Sequence, residues 1–354
     1  MYPEHGGNIY YYGRLFALPP TAIIDMSSSV NPLAKEFLAE KLTSLLHYLE
    51  FYPDPEAGEI KELLAERYKL PLEGLLIGNG SMELISLTLW HLLAKGSQVL
   101  LLEPTFGGYK KYLAQRKDLK IESNVSLHWK DWLESIDAFL ERRARKKTIL
   151  LCNPNNPTGW LIPKASLLER MERSPETLFI VDEAFIDFVE EESLVSKAPH
   201  LPNLIVLRSL TKFYGLAGSR LGYLVASPHL VEHLKTYVPT WNVNTLSQIF
   251  AKILLTNEDF RQRSLEFFYG EKALFEDIFK RLNIFYFPSV TNFYLFKLEG
   301  GIEFFSWLLK KKRILIRLCE NFKGLSSDYL RVSLKDHGAN KLFLEGLREW
   351  LEEQ

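Results

Sequence analysis

The chain is 354 residues long and 47% hydrophobic, with 43 Lys and Arg against 44 Asp and Glu. That length exceeds a typical single domain and leaves room for a large core with a smaller unit beside it. A formal net charge of −1 gives no overall bias toward nucleic acid or a membrane surface as partner.

The two cysteines, Cys152 and Cys319, lie far apart with no CxxC or metal-like spacing, which argues against a disulfide framework or a zinc site and for a reducing, cytoplasmic setting. In chain order, residues 1–34 read as an arm, because Gly6, Gly7, Gly13, Pro19, Pro20 and Pro32 interrupt any periodicity and the one short apolar stretch is 22–26. The arm lacks a basic start followed by an apolar run, and no apolar stretch approaches the roughly 20 residues a spanning helix needs, so neither export nor membrane insertion is expected. Ile60, Leu63, Leu64 and Tyr68 recur at helical spacing and predict a helix over 59–68; the same pattern predicts another over 81–93. Short apolar runs at 98–103, 148–152, 178–181, 204–207 and 222–225 then alternate with helix-like stretches such as 165–172. That alternation predicts βαβ units around a mainly parallel sheet, with ligand chemistry at the carboxyl ends of the strands. A long helical region over 230–282 leads to strands at 284–287 and 293–298, a helix, strands at 314–318 and 329–333, and a closing helix at 340–352. The organisation expected is an arm over 1–34 packed on a small α+β domain over 271–354, with a large domain over 35–270.

Four stretches near predicted strand ends carry chemistry. In IVDEAFIDF an apolar run ends in Asp182 and Glu183. Burying a carboxylate there is unfavourable without a cationic or hydrogen-bonding partner, for which a protonated ring nitrogen would serve; a cap on the next helix explains Asp182 equally well. LCNPNNPTGWLIP fixes a turn whose asparagines keep donors and acceptors for a ring oxygen, or is only a rigid turn. IGNGSMELI sets Gly78 and Gly80 before a helix start bearing Ser81, Met82 and Glu83, where backbone N–H groups and the helix dipole can hold a phosphate; a Gly-Ser cap is the plainer alternative. In RSLTKFYGLAGSRLGY, Ser209, Thr211 and Arg220 can hold a phosphate, while Lys212, among apolar neighbours, would have its pKa lowered enough to condense with an aldehyde. Phosphate, ring nitrogen, ring oxygen and aldehyde together describe pyridoxal 5′-phosphate.

Taken in order, GNGSME, PTFGGY, NPNNPTG, VDEAF, SLTKFYGLAGSRLGY and DYLRVSL resemble the fold-type I pyridoxal-phosphate enzymes of the class I/II aminotransferase family, over essentially the whole chain. The resemblance implies an α/β fold: a large domain with a mainly parallel seven-stranded sheet, plus a smaller α+β C-terminal domain. It implies that Lys212 holds the cofactor covalently and later carries the proton, that Asp182 pairs with the pyridine nitrogen, and that Asn156 holds the 3′-oxygen. Phe106 would stack on the ring, and Ser81, Met82, Ser209, Thr211 and Arg220 would surround the phosphate. Tyr52, in FYPDPEAGEI, looks like the tyrosine that reaches the phosphate of a neighbouring subunit's cofactor, so a homodimer with shared sites is implied. Arg331 would grip the substrate carboxylate bidentately, a geometry that favours arginine over lysine. One departure is Phe185, three residues after the aspartate, where many relatives carry a tyrosine that donates to the 3′-oxygen.

Two branches of the family compete. HGGN at 5–8, DMSSSVNPL, DEAFIDF and IRLCENFKGL look more like the L-threonine-O-3-phosphate decarboxylases of cobalamin biosynthesis than the histidinol-phosphate aminotransferases. That resemblance implies a small phosphorylated amino-acid substrate, with His5, Gly6, Asn8 and Arg317 helping Arg331 to hold its phosphate or carboxylate. Asn31 is retained from the branch's N-x-N-P pattern, whereas Ser29 replaces its first asparagine. A catalytically inactive regulator of the same fold is a third reading, and the presence of both Lys212 and Asp182 stands against it.

Overall fold

Strands buried on both faces read as unbroken apolar runs, since neither face meets water. KTILLC, TLFIVD and LIVLRS are such runs, and all three lie in the middle of the main sheet. The computed structural model describes residues 3–41, 43–144 and 146–354. Its first elements are α1 (Ile9–Leu15), β1 (Ile24–Asp25), α2 (Ala34–Leu38), α3 (Gly58–Tyr68), β2 (Leu75–Gly78), α4 (Ser81–His91), β3 (Gln98–Glu103), α5 (Gly108–Leu113) and β4 (Lys120–Val125). There follow α6 (Trp129–Leu140), β5 (Lys147–Cys152), α7 (Lys164–Arg173), β6 (Thr177–Asp182), β7 (Leu204–Ser209), β8 (Gly222–Val225), α8 (Pro228–Lys235), α9 (Thr245–Leu255) and α10 (Glu258–Arg281). The chain closes with β9 (Phe285–Tyr286), β10 (Phe293–Lys297), α11 (Gly301–Lys312), β11 (Ile314–Leu315), β12 (Arg317–Leu318), β13 (Tyr329–Ser333) and α12 (His337–Glu352).

The seven-stranded sheet has the order β2-β8-β7-β6-β5-β3-β4. Only β8 runs antiparallel to its neighbours. Alternate side chains divide between two cores: Leu150, Ile180 and Ile205 meet α4, α5 and α8, whereas Ile149, Phe179 and Val206 join the core that continues into the C-terminal elements. A four-stranded antiparallel sheet, β12-β13-β10-β9, forms the second layer of strands, and α10 packs along it through Phe275 and Phe279. Among the described residues no helix is long and apolar enough to cross a membrane.

The helical region expected over 230–282 is three helices, because Pro239 has no N–H to donate and Trp241 sits at φ 60°. Asn244 and Asn257 restart α9 and α10 as caps, accepting from Ser247 N–H and Phe260 N–H. The strand expected over 314–318 breaks at Ile316: β11 pairs in parallel with β1 of the arm, while β12 pairs with β13. The arm also holds α1, for which the glycine-interrupted sequence gave no periodic signal.

Candidate active site

Each chemical stretch ends a strand of the main sheet or starts the helix after one. Asp182 terminates β6, Ser209 terminates β7, the 153–159 turn follows β5, and Ser81 opens α4 three residues after the end of β2. These points converge on a cavity of about 370 Å³ lined by His5, Ser81, Met82, Phe106, Cys152, Asn156, Asp182, Ala184, Phe185, Ser209, Thr211, Lys212 and Arg220. A smaller cavity of about 110 Å³ shares His5, Phe106, Asn156, Phe185 and Lys212, and adds Glu4, Gly6, Ser27, Ser28, Ser29, Arg317, Phe322 and Arg331. A larger open cleft of about 630 Å³ between the 55–61 stretch and α8 is lined by proline, aliphatic and surface charged residues, with no convergence of buried titratable groups.

Asp182 is 3% exposed and sits between two donors: the Tyr109 hydroxyl at 2.7 Å on Oδ2 and the Ala184 N–H at 3.0 Å on Oδ1. Burial raises its pKa to about 6 although both donors and Lys212 pull the other way. Burial also pushes the Tyr109 phenol well above its usual range, so it remains a donor. Lys212 lines the cavity and is lowered to about 8, first by desolvation and then by the neighbouring charges of Arg331, Arg220 and Lys335. Its Nζ stands 5.7 Å from the centre of the Phe185 ring, which offers it no hydroxyl.

At the other end of the cavity, Gly80 adopts φ 78° and places no side-chain cap over the first amides of α4. A Cβ at Gly222 would lie 2.6 Å from the Ser81 nitrogen, so only glycine lets β8 pass this close to the helix start. The Ser209 and Thr211 hydroxyls lie 2.7 Å apart beside it, and Arg220 completes the wall. Helix amides, two hydroxyls and a guanidinium form a donor set for a phosphate, and the buried acid Asp182 lines the same cavity. This chemistry fits pyridoxal 5′-phosphate.

Arg331 donates from Nη1 to Asn156 Oδ1 and from Nη2 to Ser27 O at 2.8 Å; its Nε has no partner. Burial lowers its pKa to about 10, still charged at neutral pH. Arg317 donates to the carbonyls of Pro3, Glu4 and Leu318 and, at 2.6 Å, to Asn321 Oδ1. His5 stands over Phe106 with ring centres 5.5 Å apart, and desolvation with Arg317 lowers its pKa.

Two residues expected at this chain's own site, Asn31 and Asn8, are not brought into it, and Tyr52, expected at a neighbouring subunit's site, lines neither cavity. Asn31 lines neither cavity: its amide donates to Phe213 O and Ser264 Oγ, each at 2.8 Å, its side-chain oxygen accepts from Leu33 N–H, and its own N–H donates to Lys212 O at 3.0 Å, so it braces the lysine loop from behind with both side-chain donors used. Asn8 turns back to His5 O at 2.6 Å and lines neither cavity. Tyr52 is 78% exposed and stacks on Trp241 at 4.5 Å, away from both cavities. Conversely, sequence reasoning missed Tyr109. It ends PTFGGY three residues after Phe106, one helical turn on, and nothing in that spacing says that its hydroxyl meets Asp182.

The pattern of the family described as aminotransferase class I and II matches residues 22–347. The chain belongs to that family. It is a pyridoxal 5′-phosphate enzyme of the decarboxylase and aminotransferase kind. Threonine-phosphate decarboxylase of Salmonella typhimurium is 33% identical over 355 residues, covering 98% of this chain and 96% of that protein. Histidinol-phosphate aminotransferase 1 of Bacillus cereus is 34% identical over 356 residues, covering 99% and 94%. The family member also matches the bifunctional adenosylcobalamin biosynthesis protein CobDQ of Leptospira interrogans at 31% identity, spanning 40% of that protein's length. Among solved structures, the histidinol-phosphate aminotransferase from Clostridium acetobutylicum superposes with a TM-score of 0.82 at 26% identity, covering 94% of this chain and all of that one.

Proposed function

We propose that this enzyme decarboxylates a short amino acid bearing a second anionic group, L-threonine O-3-phosphate, to (R)-1-amino-2-propanol phosphate. The observation that carries the reading is the pair Arg317 and Arg331. Both are buried, both line the cavity beside Lys212, and among the described residues neither is ion-paired with a carboxylate. A desolvated guanidinium held only by neutral oxygens gains most from an incoming anion, and one small substrate with a carboxylate and a phosphate satisfies two of them. His5 and Gly6 close the same side.

When bound, pyridoxal 5′-phosphate supplies a ring that accepts the electron pair of a bond broken at the substrate's Cα. The α4 amides of Ser81 and Met82, with Ser209, Thr211 and Arg220, would hold its phosphate; Asp182 would face the ring nitrogen, Asn156 the 3′-oxygen, and Phe106 would pack on the ring. Lys212 would form the covalent attachment and, with a pKa near 8, hold a proton it can deliver to Cα once carbon dioxide has left. Arg331 and Arg317 would decide which bond breaks by fixing the orientation in which the substrate carboxylate is held. A difference of a few kcal/mol between two bound orientations is sufficient for that choice. A second copy of the chain would bring Tyr52 to the phosphate, making the working unit a homodimer with shared sites.

Transamination of histidinol phosphate is the second reading, favoured by the similarity to the Bacillus cereus relative. Incubation with L-threonine O-3-phosphate, and separately with histidinol phosphate and 2-oxoglutarate, separates the two. Carbon dioxide with aminopropanol phosphate is expected from the first; glutamate formed in the second, with no carbon dioxide from the first, would overturn the proposal.

A further inference from the structure

Behind the strand ends that bear Asp182 and Ser209 lies a buried ionic cluster that the reaction does not use. Its centre is Arg208, with no exposed surface at all. Nη1 donates to Ser193 Oγ at 3.1 Å and to Glu183 Oε2 at 3.5 Å, and Nη2 donates to Asp187 Oδ1 at 2.8 Å and to the Tyr68 hydroxyl at 3.2 Å. Glu183 is fixed in turn by Ser193 Oγ at 2.5 Å and Leu194 N–H at 2.7 Å. Glu190 carries the cluster outward, accepting from Tyr68 on α3 at 2.5 Å and from Arg261 on α10 at 2.6 Å. Arg67 also meets Glu190, at 3.3 Å, so three guanidiniums face the three carboxylates Glu183, Asp187 and Glu190 and the interior carries no net charge from them.

The placement is what matters. Arg208 immediately precedes Ser209, and Glu183 immediately follows Asp182. Register between β6 and β7 ends at Asp182 and Leu207, with one more backbone bond from Glu183 N–H to Leu207 O at 2.7 Å. Past that bond no ladder holds the two chain segments together, and the Arg208 fork spans them. Buried ion clusters are poor sources of stability compared with apolar packing of the same volume; their better-attested use is to fix one geometry. A rigid planar fork with partners on both sides suits that use.

We propose that Arg208 is a positioning residue: by clamping Glu183, Asp187 and Ser193 to the end of β7, it fixes the separation between the Asp182 carboxylate and the Ser209 and Thr211 hydroxyls. The proposal rests on the reading that these two ends receive the ring nitrogen and the phosphate of one bound cofactor. A ligand that reaches both ends feels their spacing, and a ligand that touches one end does not.

The test compares two ligands on cofactor-free protein. The parent, Arg208→Met and Arg208→Lys are titrated with pyridoxal 5′-phosphate by quenching of tryptophan fluorescence, and inorganic phosphate is measured by competition. Loosening a preorganised seat is expected to weaken pyridoxal 5′-phosphate about tenfold in Arg208→Met, with inorganic phosphate changed less than about twofold. Arg208→Lys, which keeps the charge and loses the fork, is expected to recover part of the loss. Equal losses for both ligands, or unchanged pyridoxal 5′-phosphate binding, overturn the proposal. If circular dichroism shows that Arg208→Met does not fold, Tyr68→Phe, which removes one Nη2 partner, is judged by the same comparison. Ser209→Ala and Asp182→Asn test the underlying reading: if neither weakens the cofactor, the seat is misassigned and the proposal goes with it. If both weaken it and the Arg208 variants do not, the positioning role alone is wrong.

Discussion

Asp182 shows how a functional residue works against the cofactor-free fold. Its pKa rises from 3.8 to about 6 on burial, so the folded chain takes up this proton more readily than the unfolded one. The stability it contributes is therefore complete below the unfolded value and is lost as pH rises through about 6, a swing on the order of 3 kcal/mol. Cofactor-free Asp182→Asn should consequently be more stable than the parent at pH 8, by about 1–3 kcal/mol in urea unfolding, with the advantage gone near pH 4. In the proposed arrangement its affinity for pyridoxal 5′-phosphate should fall, because the ring nitrogen would lose its carboxylate. Tyr109→Phe should do the reverse to stability. Removing the donor at 2.7 Å leaves a buried oxygen unsatisfied and destabilises the protein by about 1–3 kcal/mol at pH 8. The same variant should raise the pH at which the bound cofactor's absorption changes; an unchanged spectrum and pH profile would show that the hydroxyl only fills space. Asp182 and Lys212 were legible because a charge at the end of an apolar run is conspicuous. Tyr109 was not, since an aromatic residue in a helix's first turn reads as packing.

For the elements, the start of α4 is the most constrained. Gly222→Ala would drive a methyl group against the Ser81 amide, costing about 1–3 kcal/mol by overpacking and weakening pyridoxal 5′-phosphate binding at the same time. Gly270→Ala is the contrast: it lies in the interior of α10 with nothing within 4 Å of the added Cβ. It should stabilise the protein by about 0.5–1 kcal/mol and leave cofactor binding unchanged, as thermal unfolding and fluorescence titration would show. The helical character of α10 was readable in the sequence only as part of one region over 230–282, and the helix buries Phe260, Ser264, Phe268, Glu271, Phe275 and Phe279 along one stripe. β4 was not readable, because it is the polar edge strand KIESNV with none of its residues buried and no alternation to detect. The division of 314–318 between two sheets was equally hidden, since both halves are buried and only their partners differ.

At the scale of the whole molecule, Tyr52 and Trp241 are large aromatic side chains left 78% and 47% exposed, stacked on each other at a distance from the chain's own cavity. In a homodimer with shared sites, Lys212→Ala and Tyr52→Ala would fail in different subunits. Mixed and allowed to exchange, the two inactive variants should regain about a quarter of the parent's activity, because half the dimers are mixed and each of those holds one intact site. Activity no greater than the sum of the separate variants would show that Tyr52 serves no second subunit. The sequence by itself determined the α/β class, the family and the stretches whose ends line the cavity at Lys212, because apolar runs set strand burial and polar groups at their ends must find partners. Only the tertiary structure decided that the Asn31 amide is spent on Phe213 O and Ser264 Oγ, that Tyr109 donates to Asp182, and that Arg208 bridges two strand ends. Those facts depend on which side chains from distant parts of the chain meet, and on where each remaining hydrogen bond is spent.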